Sequence, residues 1–233
     1  MNEPNRQVYL DHAAATPIDS EVVEAMAPYV TEVYGNPGSF HSAGKAAKDA
    51  VDEARAQIAE FVGARPDEIL FTGSGTEADN LAILGYARAN AKHGKHIVTT
   101  SIEHHAVLEA MEWLARKEGF ELTIVGVEKN GIVDTQKVLD AIREDTTIVS
   151  IMYVNNEIGT IQPISAIGNG IEKMKADGKA PHVAFHTDAM QAAGYLELDI
   201  KKLHVDMLSI NGSKVYGPKG IGALYVKRGT KLQ

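Results

Sequence analysis

Short apolar runs alternate with amphipathic stretches through most of this chain, and this alternation limits the possible folds more than any other feature. Strands are predicted at residues 68–71, 96–100, 120–125, 147–152, 182–186, 205–210 and 222–226. Three- and four-residue apolar spacing predicts helices between them, at residues 76–91, 105–117, 135–143 and 165–176. Strands that alternate with helices form a mostly parallel sheet that is covered on both faces. The chain is therefore predicted to be an α/β protein.

The N-terminal part of the chain departs from this alternation. Helical spacing predicts one helix over residues 19–33, which a turn-rich stretch ends. A second amphipathic helix is predicted over residues 43–62, and Gly63 stops it. Because no repeat, low-complexity tract or long linker interrupts the chain, we expect one domain over residues 1–233, with a short N-terminal extension over residues 1–40.

Charge and composition argue against several classes of function. The net charge is −8, whereas general nucleic-acid binding requires a basic face. No apolar run approaches the ~18–20 residues of a membrane span, and the first residues lack the pattern of a signal peptide, so we expect a cytoplasmic protein with no membrane partner. The chain contains no cysteine, which excludes disulfides, thiolate metal sites and cysteine nucleophiles within these residues. No metal site is predicted.

A lysine follows the end of one predicted strand in a setting that suits covalent chemistry. Lys214 lies just past the strand at 205–210, between Gly212 and the Gly217-Pro218 turn. Burial on such a rigid turn lowers the pKa of a lysine, and the neutral amine can attack a carbonyl group to form a Schiff base. The alternative is an ordinary surface lysine in a loop.

A Gly/Ser/Thr turn, Thr72-Gly-Ser-Gly-Thr76, joins another strand to its helix. Exposed backbone N–H groups at the start of a helix bind anions, most naturally a phosphate. Gly75 allows close approach of the backbone, and Thr76 adds a hydroxyl donor. The pattern is neither a P-loop nor a dinucleotide-binding motif. The alternative is a plain helix start with Thr76 as its N-cap.

Further strand ends carry polar side chains. His104 can stack on a flat cofactor or carry protons. Asn155 and the amide after it can orient a polar ligand, with a simple turn as the alternative. Asp188 ends an apolar strand, where a carboxylate requires a cation or a protonated ring nitrogen as partner. Its alternative role is a helix N-cap, with Gln191 at capping-box spacing.

The carboxyl ends of parallel strands meet at one edge of a sheet, so we expect these side chains to lie together. A phosphate cradle, a ring-stacking histidine, a carboxylate, amides and a lysine amine together fit pyridoxal 5'-phosphate. In such a site the lysine forms the imine, and the acid holds the proton on the pyridine ring. The sequence therefore predicts a pyridoxal-phosphate site.

Several segments also resemble one known family. They are Tyr9-Leu-Asp-His-Ala-Ala-Ala-Thr-Pro17, Tyr34-Gly-Asn-Pro37, Thr76-Glu-Ala-Asp-Asn80, Glu103-His104, Val154-Asn-Asn-Glu-Ile-Gly159, His186-Thr-Asp-Ala-Met-Gln191 and Lys214-Val-Tyr-Gly-Pro-Lys-Gly220. In order and spacing they are similar to the large domain of cysteine desulfurases, in the class V aminotransferase group of fold-type I pyridoxal-phosphate enzymes. The resemblance implies a seven-stranded type of sheet in an α/β/α sandwich.

The resemblance implies roles for the residues that face the cofactor ring. Lys214 would carry the cofactor covalently and later move the substrate α-proton, and His104 would stack on the ring. Asp188 would pair with the ring nitrogen, and Gln191 would bond the phenolic oxygen. Lys214 and His104 are thus the expected catalytic residues.

Other residues would hold the rest of the cofactor. Gly75 and Thr76 would bind the phosphate, and Asn155 would orient the cofactor or the substrate carboxylate. The family usually has Ser-Gly-His before the lysine, where this chain has Asn211-Gly-Ser213. Both side chains can donate hydrogen bonds to a phosphate, but a histidine that could be charged is lost. We therefore expect weaker or altered cofactor binding.

The resemblance further implies a homodimer that removes sulfur from L-cysteine or a similar amino acid, leaves alanine, and supplies iron–sulfur cluster assembly or tRNA thiolation. A scaffold or a sulfur-acceptor protein is the implied partner. In the family, a small C-terminal domain supplies the cysteine that takes up the sulfur. We expect that domain to be absent here, so that this chain alone cannot receive the sulfur.

Two other functions remain open. One is a related lyase for C–S or C–Se bonds, such as a selenocysteine lyase, that works without a protein cysteine. The other is a non-catalytic cofactor-binding or interaction module that pairs with a separate chain. Release of alanine from selenocysteine but not from cysteine would distinguish the first, and absence of turnover with a cysteine-bearing partner would distinguish the second.

Overall fold

A seven-stranded sheet forms the centre of the molecule, whose structure, a computed structural model, describes residues 8–233. Its strands are β1 (Ile69–Thr72), β2 (His96–Thr100), β3 (Glu121–Val125), β4 (Thr146–Ser150), β5 (Ala184–Asp188), β6 (Met207–Asn211) and β7 (Gly222–Val226). They lie in the order β1-β7-β6-β5-β4-β2-β3. Strand β7 is antiparallel to β1 and β6, and the other neighbours are parallel. The predicted mostly parallel sheet is confirmed.

Helices cover both faces of this sheet, as predicted. They are α1 (Ser20–Thr31), α2 (Ser42–Val62), α3 (Gly75–Asn90), α4 (His105–Lys117), α5 (Thr135–Ala141), α6 (Ile164–Ala176) and α7 (Ile200–Leu203). Each face has its own hydrophobic core, and β5 contributes to both, since Ala184 packs with α3 and α4 while Phe185 packs with α5 and α6. All residues of β5 are buried, as expected for a strand between two helical layers.

The order of the strands reverses next to β2. Strand β3 lies on one side of β2, and the chain then returns to form β4 on the other side. Open parallel sheets bind ligands where the strand order reverses in this way, outside the carboxyl ends of the strands. The loops after β2, β4, β5 and β6 all leave the sheet at that edge, and they carry most of the predicted site residues.

Observed and predicted elements agree in type, and their ends differ for physical reasons. The strand predicted at 182–186 continues to Asp188, because Asp188 still pairs with Ser209 of β6. Helix α5 stops at Ala141, because Ile142 is extended with φ −79 and ψ 129. The four-residue helix α7 has no predicted counterpart, since so short a segment shows no apolar periodicity.

Helix α1 packs more loosely than the other helices. Helix α1 has no buried residue, and α2 ends at Gly63, whose φ of 72 suits a glycine. Part of the extension predicted over residues 1–40, residues 1–7, lies outside the described structure. Within residues 8–233, none of the helices has the length and apolar character needed to cross a membrane.

Candidate functional site

A cavity of about 490 Å³ opens at the carboxyl ends of the central strands. It brings together nearly all of the predicted site residues: Gly75, Thr76, His104, Asp188, Gln191, Asn211, Ser213 and Lys214. Asp11, Ala13 and Ala14 of the N-terminal segment also line it. Asn155 does not line the cavity, whereas Asn156 does.

Lys214 ends a short 3-10 helix directly after β6. Its Nζ donates to the main-chain oxygens of Ala13 at 2.7 Å and Ala14 at 2.6 Å. Burial lowers the pKa of Lys214, and the charges of Asp188 and Asp11 oppose this effect. At a given pH more of this amine is neutral than in an exposed lysine, which favours attack on a carbonyl group.

Asp188 is the last residue of β5, and its carboxyl group is almost fully buried at the cavity wall. The backbone N–H of Met190 donates to its Oδ1 at 2.9 Å. Burial raises the pKa of Asp188, while this hydrogen bond and the nearby His104 and Lys214 side chains oppose the rise. A further positive charge in the cavity would stabilise the carboxylate. The alternative helix-cap role is wrong, because residues 190–195 form turns.

His104 is the N-cap of α4, which fixes its ring at the cavity wall. Its Nδ1 accepts a hydrogen bond from the backbone N–H of Ala106 at 3.1 Å. Because Nδ1 accepts, a neutral His104 carries its proton on Nε2. The ring is thus held in one orientation and one tautomer, as a stacking or proton-carrying residue requires.

Helix α3 starts where the sequence predicts an anion site, at Gly75. Ser74 is the N-cap, and its side chain accepts from a backbone N–H of the first turn at 3.1 Å, so the alternative of Thr76 as N-cap is wrong. A Cβ at Gly75 would meet the Sδ of Met190 at 2.2 Å, so glycine allows the Met190 side chain to lie against the start of α3. Asn211 has a buried Oδ1 with no hydrogen-bond partner among residues 8–233.

Asn155 forms the turn that follows β4. Its Oδ1 accepts from the backbone N–H groups of Glu157 and Ile158, both at 2.9 Å. Its Nδ2 donates to the carbonyl of Ile102 at 2.8 Å. The turn interpretation is therefore confirmed, and the predicted contact of Asn155 with a cofactor or substrate stays a prediction.

Two buried carboxyl groups near Asp188 belong to residues for which the sequence predicts no role. One is Asp79 on α3, whose oxygens have no hydrogen-bond partner within the described part of the chain. His186 Nε2 lies 3.6 Å from Asp79 Oδ1. The same Nε2 shares a hydrogen bond of 2.9 Å with the Ser209 hydroxyl group. Burial and the charge of Asp188 raise the pKa of Asp79 well above its usual value. Burial lowers the pKa of His186 to about 3.

A sequence signal for Asp79 does exist. Asp79 follows the buried Ala78 and precedes the buried Ala82 and Ile83 on the apolar face of α3. An acid on the apolar face of a predicted helix must be paired or neutral, and this points to a site rather than to a solvated surface.

Glu103 is the other buried acid. Its oxygens accept from Thr100 Oγ1 at 2.5 Å and from the backbone N–H of Met152 at 2.9 and 3.0 Å. Burial raises its pKa from 4.5 to about 8, although both hydrogen bonds oppose the rise. A group with a raised pKa in the folded state contributes stability that is complete below its unfolded pKa and is lost as the pH rises through its folded pKa.

Glu103→Gln is therefore expected to flatten the pH dependence of folding stability. Between about pH 5 and 8 the free energy of unfolding of the unchanged chain should fall with an added slope of about 1.4 kcal/mol per pH unit, which the variant lacks. The amide keeps the shape of the side chain and can still bond Thr100 and Met152. Urea unfolding across this pH range measures both slopes, and equal slopes would mean that Glu103 is ionised in the folded protein.

Comparison with known proteins reveals a clear match over the whole described chain. Residues 8–233 match the aminotransferase class-V family. The cysteine desulfurase IscS of Methanosarcina thermophila is 50% identical over 232 residues, which are 100% of this chain and 55% of that relative. The putative cysteine desulfurase IscS 1 of Bacillus subtilis (strain 168) is 50% identical over 97% of this chain and 58% of its own length. The chain thus spans little more than half the length of these relatives.

Solved structures have the same fold. A NifS-like protein superposes with a TM-score of 0.92 at 37% identity, over 98% of this chain and 61% of that one. A structure of SspA in complex with cysteine superposes with a TM-score of 0.87 at 42% identity, over 94% of this chain and 60% of that one. The predicted α/β fold and the predicted family are both confirmed.

Proposed function

The chain belongs to the aminotransferase class-V family, and from this premise we propose that it is the cofactor-binding large domain of a pyridoxal-phosphate-dependent cysteine desulfurase. One observation carries the proposal: four groups line the same cavity. They are the Lys214 amine, whose pKa is lowered, the buried carboxyl group of Asp188, the fixed ring of His104 and the N-terminus of α3. That set matches the aldehyde, ring nitrogen, ring face and phosphate of the cofactor.

The chain's own residues fit the anionic end of this cofactor. The first turn of α3 begins at Gly75 and offers backbone N–H groups to a phosphate at the cavity wall. Asn211 and Ser213, which also line the cavity, add side-chain donors. Asn211 Oδ1 is buried without a partner in residues 8–233, and as an acceptor it would be satisfied by a hydrogen-bond donor in the cavity.

The ring end fits equally well. When bound, pyridoxal phosphate supplies an electron-accepting ring. Asp188 would hold the positive charge on the ring nitrogen, His104 would lie against the ring face, and Gln191 would donate to the phenolic oxygen. Lys214 would bind the cofactor aldehyde through Nζ and later carry a proton to or from the substrate α-carbon.

L-cysteine is the substrate that the relatives favour. The relatives bear the name cysteine desulfurase, and the similar SspA structure contains cysteine. Conversion of cysteine to alanine leaves a sulfur atom that a thiol takes up as a persulfide, and none of these 233 residues is a cysteine. The acceptor is therefore proposed to come from outside these residues, from a further part of the protein or from a partner protein, for delivery to iron–sulfur cluster assembly or tRNA thiolation.

A homodimer is proposed for the functional form. Large apolar side chains stand exposed on the N-terminal part of the chain, including Val23, Val30 and Phe40. Scattered exposure of this kind is common, but its concentration in one segment supports a contact surface. Analytical sedimentation gives the oligomeric state of the chain alone and of the chain fused to the remaining C-terminal sequence of one of its relatives. A monomer in both cases contradicts the proposed homodimer.

The decisive experiment supplies cofactor, L-cysteine and dithiothreitol to the 233-residue chain. Dithiothreitol takes up the sulfur in place of a protein thiol and releases it as sulfide. We expect alanine and sulfide in equal amounts, at a low rate, and neither product with D-cysteine as the matched control.

The lack of cysteine in the chain keeps a second candidate open, a lyase that needs no protein thiol. Alanine from selenocysteine, with L-cysteine inert, would favour that lyase. Bound cofactor without either reaction, also after addition of a cysteine-bearing partner, would instead favour a non-catalytic module.

A further inference from the structure

Thr16 is a buried residue in an exposed part of the chain. Its relative exposure is 2%, although most of the residues around it are exposed and α1, which follows it, has no buried residue. A hydroxyl group that is buried in this way requires hydrogen-bond partners. The partners of Thr16 all belong to the loop that carries Lys214.

Hydrogen bonds join Thr16 to this loop from both its main chain and its side chain. The N–H of Thr16 donates to the carbonyl of Ser213 at 2.9 Å, and Oγ1 donates to the same oxygen at 3.1 Å. Oγ1 also accepts from the backbone N–H of Tyr216 at 2.8 Å. Lys219 Nζ donates to the carbonyl of Thr16 at 2.8 Å. Together these bonds fasten the N-terminal segment to residues 213–219.

The loop needs this support because Tyr216 is strained. Its φ is 58°, in the left-handed region that residues other than glycine and asparagine rarely occupy. Thr16 Oγ1 is the acceptor for its N–H, and the N–H of Asp19 donates to its carbonyl at 2.9 Å. The N-terminal segment therefore satisfies both backbone groups of the strained residue.

The same segment also holds the reactive lysine. Ala13 and Ala14, just before Thr16 in the chain, provide the carbonyl oxygens to which Lys214 Nζ donates. Ala13 accepts from Gln191 Nε2 at 2.9 Å as well. The position of these carbonyls depends on how the segment is anchored, and Thr16 is the buried anchor.

We propose that Thr16 is a positioning residue for Lys214, because its hydroxyl supports the strained loop after the lysine and anchors the segment whose carbonyls hold the lysine Nζ. The inference rests on the proposed function only in taking Lys214 as the amine that reacts with the cofactor. The contacts with Tyr216 and Ser213 do not depend on any ligand.

Thr16→Val and Thr16→Ser are a matched pair that isolates the hydroxyl group. Valine replaces it with a methyl group of similar size, and serine retains it. Without any cofactor, hydrogen exchange at the Tyr216 amide should become about tenfold faster in Thr16→Val and stay within about twofold in Thr16→Ser, because a lost acceptor leaves that N–H unpaired. Unchanged protection in Thr16→Val overturns the proposal.

A second readout follows Lys214 itself. The chain is mixed with pyridoxal phosphate, reduced with borohydride after increasing times, and digested, and mass spectrometry gives the rate of modification at Lys214. We expect this rate to fall about tenfold in Thr16→Val and to recover in Thr16→Ser. An unchanged rate in Thr16→Val contradicts the positioning role. If the unchanged chain is not modified at all, the proposed function fails, and the exchange measurement still decides the role of Thr16.

Lys219→Met covers the case in which Thr16→Val does not fold. This variant removes the donor to the Thr16 carbonyl at an exposed side chain and leaves the buried hydroxyl in place. We then expect exchange at Tyr216 to be about two- to threefold faster and modification of Lys214 to be slower by a similar factor. Values equal to those of the unchanged chain overturn the proposal.

Discussion

Lys214→Ala is expected to abolish covalent attachment of pyridoxal phosphate to this chain. Lys214 is the lysine that lines the cavity, and the other groups there can hold the cofactor but cannot bind its aldehyde in this way. The visible absorbance of the reconstituted protein should disappear, and borohydride reduction should leave no modified peptide. Non-covalent binding should remain, weakened by about tenfold or more, since the phosphate and ring contacts persist.

The matched control for this prediction is Lys201→Ala, which removes an exposed lysine from α7, away from the cavity. Its absorbance should equal that of the unchanged chain. In the unchanged chain the rate of cofactor attachment should rise with pH, because the neutral amine is the reacting form. The midpoint of this rise should lie below 10.5, the ordinary pKa of a lysine, because burial lowers the pKa of Lys214. Attachment that persists in Lys214→Ala would disprove the role of this lysine.

Asp188→Asn is expected to have the next largest effect. The substitution keeps the size of the side chain but removes the carboxylate that would face the ring nitrogen. A hydrogen bond to a charged group contributes about 1.5–3 kcal/mol, so the affinity for pyridoxal phosphate should fall about tenfold to a hundredfold. Alanine formation should fall further than binding, because the charge on the ring nitrogen matters most while the ring accepts electrons.

Asp79→Asn is the control for this change, since it converts another buried acid near the site to its amide. Asp79 does not line the cavity, and burial raises its pKa well above its usual value. We expect cofactor affinity within about twofold of the unchanged chain. Fluorescence titration with the cofactor measures both variants. Equal affinities in Asp188→Asn and the unchanged chain would remove Asp188 from the ring-nitrogen role.

The location of the site could be predicted because parallel sheets impose it. His104, Asp188 and Lys214 each follow or end a strand that leaves the sheet at the same edge, so their meeting follows from strand direction alone. Gly75 was also predictable, since a glycine where a strand turns into a helix marks close backbone approach.

The local capping roles could not be read from the sequence. Ser74 and Thr76 are both good N-cap residues, and the choice of Ser74 depends on where the first turn of α3 begins. Asp188 and Gln191 have capping-box spacing, yet no helix follows them, and Gln191 bonds the N-terminal segment instead. Spacing alone does not distinguish a cap from a contact with a distant part of the chain.

The sequence by itself determined the alternation of strands and helices, the parallel sheet and the residue types at its carboxyl edge, because these depend on periodicity and on neighbours within a few positions. The tertiary structure alone decided that Thr16, Ala13 and Ala14 hold the Lys214 loop, across about 200 positions of chain. It also decided that Asp79 is buried beside His186 without a hydrogen-bond partner among residues 8–233. Such contacts depend on which distant segments the folded sheet brings together. The burial that shifts the pKa values of Asp79, Asp188 and Lys214 exists only once these segments have met.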